Sequence, residues 1–161
     1  MRIAVISDTH MPRGGRRLPE RCLELVAGAD AVVHAGDFST AAVLGEIEAI
    51  GPPLHAVHGN VDDAELRRSL PEALEIEVGG QTVAVLHDAG PAKGRLERLR
   101  LRFPGAAAAI FGHSHLPLHE EANGFQIFNP GSPTERRRAP RHSMGLLHAE
   151  RGGLRFEHVW L

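Results

Sequence analysis

Seven side chains able to ligate a divalent metal stand just past five short apolar runs in this 161-residue chain. Residues 3–7 lead into Asp8-Thr9-His10, and residues 31–35 into Gly36-Asp37. Residues 54–58 are followed by Gly59-Asn60, residues 82–86 by His87, and residues 107–111 by Gly112-His113-Ser114-His115. Two carboxylates, one amide oxygen and four imidazoles make the inventory of a two-metal centre, with donors suited to Zn, Fe, Mn or Ni. In extended backbone, positions i and i+2 point to one side about 6.5 Å apart. Asp8 and His10 can then converge on one ion or straddle a pair, and the two oxygens of Asp37 can bridge two cations. Singly, each residue has an ordinary alternative: an Asp after a strand caps a helix or turn, and a lone His bonds to backbone. Their joint occurrence at five run ends is what points to a site.

Apolar runs of about five residues bounded by turn signals read as buried, parallel strands. Open α/β sheets hold their ligands just beyond the carboxyl ends of such strands, so one rim collects all seven side chains. Between the strands, helical periodicity predicts helices near residues 22–26, 41–50 and 92–103, and a short one ending at Leu70 that Asp62 or Asp63 caps. The second half predicts hairpins instead, turning at Gly79-Gly80, Asn123-Gly124 and Gly152-Gly153. Strand–helix units followed by hairpins imply a mixed-sheet α/β protein, accommodated by two sheets packed face to face with helices outside.

At this length one domain, residues 1–161, is expected. A net charge near −2 gives no general attraction to polyanions. Cys22 is the lone cysteine, which excludes an internal disulfide and a zinc site built on several thiolates. The N-terminal apolar run is too short for a signal peptide, and no segment reaches the ~18 apolar residues of a membrane span. A cytoplasmic protein without membrane contact is expected, and a homo-oligomer is compatible with the sequence.

Asp8-Thr9-His10, Gly36-Asp37, Gly59-Asn60-Val61-Asp62, His87, Gly112-His113-Ser114-His115 and Asn129-Pro130-Gly131-Ser132 together resemble the calcineurin-like metallophosphoesterases. The likeness is closest to their small single-domain bacterial and archaeal phosphodiesterases, and it runs in the family's order to the final strands. It implies a four-layer α-β-β-α sandwich with two mixed β-sheets. It also implies two divalent ions, drawn from Mn, Zn, Fe or Ni. Asp8, His10 and His115 would hold the first, Asn60, His87 and His113 the second, with Asp37 between them. A hydroxide shared by two ions about 3.5–4 Å apart would be the nucleophile.

Two positions depart from relatives. Val61 stands where many larger members place a histidine near the leaving group, and Asp88 where relatives commonly have glycine. The first favours a phosphodiesterase acting on small phosphodiesters; the second could crowd the second metal. His58 is a substrate-side candidate whose alternative is a strand-end histidine bonded to backbone. Asp62 either orients Asn60 or a ligand histidine or caps the following helix. Asn129-Pro130-Gly131-Ser132 is expected as a tight turn against the site. Arg136 and Arg137, within the one basic run, are candidates to steer phosphate, with Arg13, Arg16 and Arg17 able to join them.

Two competing functions remain. One is a non-catalytic metal-binding interaction module, as in a retromer subunit of the superfamily whose metal site has degenerated. The other is a nucleotide phosphohydrolase or nuclease, disfavoured by the small size and the lack of a strong nucleic-acid footprint.

Overall fold

A computed structural model describes residues 1–150 and 153–161. Among these described residues, ten strands form two mixed sheets of five. The first contains β1 (Arg2–Ile6), β2 (Ala31–His34), β3 (Leu54–Ala56), β9 (Ser143–Glu150) and β10 (Gly153–Trp160), in the order β10-β9-β1-β2-β3. The second contains β4 (Ala73–Val78), β5 (Gln81–Leu86), β6 (Ala108–Ile110), β7 (Leu118–Ala122) and β8 (Phe125–Asn129), in the order β4-β5-β6-β8-β7. The pairs β1/β2, β2/β3, β5/β6 and β6/β8 are parallel. Antiparallel strands flank them, β9 on β1, β4 on β5 and β7 on β8, with β10 beyond β9, so the five strands expected from the apolar runs are the parallel or central ones.

Those runs are continuous because both of their faces are covered. Ile3, Val5 and Val33 meet Val83, Val85, Ile110 and Phe128 between the sheets. The alternate residues Ala4, Ile6 and Val32 pack outward against α1 (Glu20–Ala27), α2 (Ala41–Glu48) and α3 (Ala64–Ser69), through Cys22, Val26, Val43, Ile47 and Leu66. On the opposite side, Ala84, Leu86, Ala109 and Phe111 meet Leu99 and Phe103 at α4 (Arg95–Arg102). Four layers result, helix–sheet–sheet–helix, as the resemblance implied.

Local differences have local causes. Helix α4 starts at Arg95 rather than 92, because Gly94 precedes it at φ 69°, outside helical geometry. Asp63, not Asp62, caps α3, accepting the Leu66 N–H at 2.9 Å. Asn123-Gly124 joins β7 to β8, with both φ values positive as a tight hairpin turn requires. The turn expected at Gly152-Gly153 includes a residue outside the described ones. No helix among the described residues is long and apolar enough to cross a membrane.

Phe128 is fully buried between the sheets and stacks on Phe156 with centroids 4.7 Å apart. Phe128→Ala should cost about 3–5 kcal/mol of stability, read from the urea midpoint at unchanged slope.

Candidate metal centre

All seven predicted donors lie at one rim, and each of the two groups they form draws on both sheets. Asp8 and His10 follow β1, Asp37 follows β2 and Asn60 follows β3, whereas His87 follows β5, and His113 and His115 follow β6. His115 Nε2 stands 3.3 Å from Asp8 Oδ1 and 3.2 Å from His10 Nε2. Asn60 Oδ1 lies 3.1 Å from His87 Nε2 and 2.9 Å from His113 Nδ1. Asp37 Oδ2 sits between the groups, 3.6 Å from His10 Nε2 and 3.3 Å from His87 Nε2. The first group is buried; Asn60 and His113 leave the second open to solvent.

Asp8 and His10 do not converge by strand alternation. Five of the donors have left-handed backbone: Asp8 at φ 57°, His10 at 44°, Asp37 at 63°, His113 at 69° and His115 at 59°. Asp and His tolerate this region better than most residues, yet it costs roughly 1–2 kcal/mol each. The loops also approach too closely for ordinary side chains. A Cβ on Gly59 would strike the backbone nitrogen and carboxylate of Asp37, and one on Gly112 would strike the Ser7 hydroxyl and lie 2.8 Å from Asp8 Oδ2. Both glycines of these motifs are therefore steric requirements.

The arrangement fits divalent metal. His115 Nδ1 is 2.6 Å from the Glu135 carbonyl and His87 Nδ1 is 2.7 Å from the Ala35 carbonyl. A carbonyl only accepts, so each Nδ1 holds a proton, and each ring, when neutral, presents its Nε2 lone pair to the site. Burial drives His115 down to about 4 and lowers His10 as well, which keeps both rings neutral. The Nε2 atoms of His10 and His115 and an oxygen of Asp8 thus converge, a grouping that a cation satisfies.

Asp62 is buried, and its carboxylate accepts N–H bonds from Gly59 at 2.7 Å, Asp37 at 3.1 Å and Ser39 at 2.8 Å. It thereby ties two donor loops together through their backbone rather than orienting the Asn60 side chain. Asp88 turns toward its own loop, accepting the Gly90 N–H at 2.7 Å. His58 has Nδ1 3.4 Å from the Gly59 carbonyl and lines a cleft of about 230 Å³ beside Asn60 and His87. Arg137 lies at the rim, with Nη1 3.5 Å from the His113 carbonyl, while Arg136 donates to the Ala139 carbonyl of its own loop at 3.0 Å.

Further residues support the site, and of these His34, Thr134 and Glu135 carry no role in the sequence reading. His34 is fully buried; Gly36 donates to its Nδ1 at 3.2 Å, leaving Nε2–H to face Thr9 Oγ1 at 3.1 Å. Burial holds it neutral, far below the usual histidine range. Its position at the end of an apolar run, two residues before Gly36, was the available signal. Asn129 donates to the Gly112 carbonyl at 2.7 Å, Ser132 to the Asp8 carbonyl at 2.8 Å, and Thr134 to the Thr9 carbonyl at 2.6 Å. The expected turn at 129–132 is thus a clamp on two donor loops. Glu135 brings a further carboxylate to within 3.8 Å of His10 Nε2, and nothing local in the sequence marks it.

A model of the calcineurin-like phosphoesterase superfamily domain matches residues 1–152. The chain belongs to that family. It is 33% identical over 137 residues to a probable metallophosphoesterase of Methanothermobacter thermautotrophicus, covering 83% of this chain and 78% of that protein. A phosphodiesterase of Methanocaldococcus jannaschii is 25% identical over 146 residues, covering 81% and 83%. The fold matches wild-type Vps29 of Entamoeba histolytica, solved in complex with zinc, at a TM-score of 0.78 and 21% identity, covering 99% of each chain.

Without metal, protons occupy this site. Burial raises Asp8 to about 7, against the opposing His87 charge and Ser7 hydrogen bond. Burial works against the charged forms of Asp37 and His87 too, but their mutual hydrogen bond and charges prevail, placing Asp37 at about 2 and His87 at about 9. A metal held by Asp8 and His87 would have to displace these protons. Affinity should therefore climb as pH rises from about 6 and level off above about 9, with up to about two protons released per chain near pH 6. Calorimetric titration in buffers of different ionisation enthalpy measures that release; a pH-independent affinity would remove the assignment of Asp8 and His87 as donors.

Proposed function

We propose that this chain is a cytoplasmic, divalent-metal-dependent phosphodiesterase acting on small or flexible phosphodiesters, with two ions held per chain. Asp8, His10 and His115 hold one, Asn60, His87 and His113 the other, and Asp37 serves both. The observation that carries this is the place of Asp37 Oδ2, within 3.6 Å of a histidine of each group. Donors of this mixed carboxylate and imidazole kind suit Mn, Zn, Fe or Ni. When bound, such a pair supplies Lewis acidity toward the phosphoryl oxygens and a water activated near neutral pH.

The chain's own residues supply placement and charge. Asp37 is fixed by accepting the Val61 N–H at Oδ1, 3.0 Å, while its backbone nitrogen is held by Asp62. The Arg137 guanidinium at the rim is suited to attract a phosphate oxygen. Val61, exposed beside Asn60, has no proton to give a leaving group. Good leaving groups should therefore react best, and the family relative named a phosphodiesterase supports the choice of diester.

Metal-loaded protein should hydrolyse aryl phosphodiesters faster than alkyl monoesters; the reverse order would overturn the diester assignment. Asp37→Ala should abolish turnover and strip both ions, measured by elemental analysis. Retention of both with normal turnover would remove its bridging role. Full metal occupancy in the wild type with no hydrolysis of any ester would point to a metal-binding interaction module instead.

Val61→His places a group that titrates near neutral pH beside Asn60. General-acid assistance is worth ~10²–10⁴-fold when well aligned, so rates for poor leaving groups should rise more than those for nitrophenyl esters. An equal change for both classes would mean that a leaving-group acid, such as His58, is already present.

A further inference from the structure

Glu135 is a carboxylate at the centre that the seven-donor set does not use. Its Oε2 lies 3.8 Å from His10 Nε2, and its Oε1 accepts from Arg16 Nη2 at 2.9 Å. Its backbone is fixed on both sides: the N–H donates to Ser132 Oγ at 2.9 Å, and the carbonyl accepts the Nδ1 proton of His115 at 2.6 Å. The side chain thus starts from a point that one donor histidine itself depends on. Arg16 is held as well, with Nη1 donating to the Arg13 carbonyl at 2.9 Å. The Arg16 and Glu135 side chains are 25% and 30% exposed, so a partly solvated ion pair borders the buried first group beside His10. The charged groups around His10 are Asp8, Asp37 and Glu135 on one side of the balance and Arg16 and Arg137 on the other.

A phosphodiester carries one negative charge, whereas a monoester carries close to two above its second pKa of about 6. A fixed carboxylate beside the first group penalises the second charge, and the adjacent guanidinium offsets part of that penalty. We propose that the Glu135–Arg16 pair sets the charge tolerance of this site, Glu135 excluding dianionic phosphomonoesters and Arg16 moderating the exclusion. This rests on the site being a phosphoesterase centre, and it makes Glu135 a specificity-determining residue with no role in bond breaking. Removing the two members has opposite effects. Glu135→Gln relaxes discrimination against a dianion, and Arg16→Ala sharpens it. A bridge that only held the loops together would make both variants move alike, because both break it.

The test is calorimetric binding of phenyl phosphate and methyl phenyl phosphate to metal-loaded protein at about pH 8, where the monoester is dianionic. Glu135→Gln should improve the monoester-to-diester affinity ratio about tenfold, Arg16→Ala should worsen it several-fold, and Glu135→Asp should keep the wild-type ratio; these sizes allow for screening at a partly exposed pair. Ratios that shift in the same direction in Glu135→Gln and Arg16→Ala, or do not shift, overturn the proposal. Nitrophenyl phosphate and bis(nitrophenyl) phosphate turnover is followed in parallel. Opposite shifts in binding without turnover of either ester support the charge assignment while overturning the hydrolase. Turnover of both with ratios that move together overturns the charge assignment and leaves the hydrolase standing.

Discussion

Seven electron-rich atoms from two separate sheets have to meet within a few ångströms, and the rest of the rim is arranged to make that tolerable. Asp37 is where the two groups meet, since one of its oxygens approaches a histidine of each. In metal-free protein the proton on His87 supplies the missing positive charge, which is why that imidazole is held at about 9 against the effect of burial. Cations in the same place would tie the β1–β3 ends to the β5–β6 ends. Because each group mixes donors from both sheets, metal binding to the native state would stabilise the sandwich as well as equip it.

Such a convergence needs a rigid support, and here the support is made of buried polar groups whose bonds reach across long stretches of sequence. Asp62 holds the Asp37 and Gly59 backbones, His34 spans the Thr9 and Gly36 loops, and Asn129, Ser132 and Thr134 hold the Asp8 and Gly112 loops from the far end of the chain. Each is buried or half-buried and bonded, as polar groups away from water must be. Removing one leaves a backbone group unpaired beside a donor, so the effect on geometry exceeds the loss of one bond.

The sequence made the strands legible because burial on both faces forces continuous apolar runs, and the convergence of the seven candidate donors legible because they fall just past those runs. Asn123-Gly124 disclosed its hairpin for an equally local reason. What stayed hidden depends on contacts between distant positions. Glu135 reaches His10 across 125 residues of chain, which no local pattern records. His34 looked like any strand-end histidine until Thr9 and Gly36 were placed around it. The left-handed backbone of Asp8 and His10 was likewise invisible: alternation along a strand predicted the right convergence by the wrong route, since the loop turns sharply after Ile6.

That left-handed backbone has a consequence for the long-term fate of the fold. At five donor positions the chain keeps a residue whose conformation glycine would adopt with less strain. While coordination is selected, the strain is held in place by the service those side chains perform. Where selection for it lapses, replacing such a residue with glycine removes a candidate donor and relieves backbone strain in the same step.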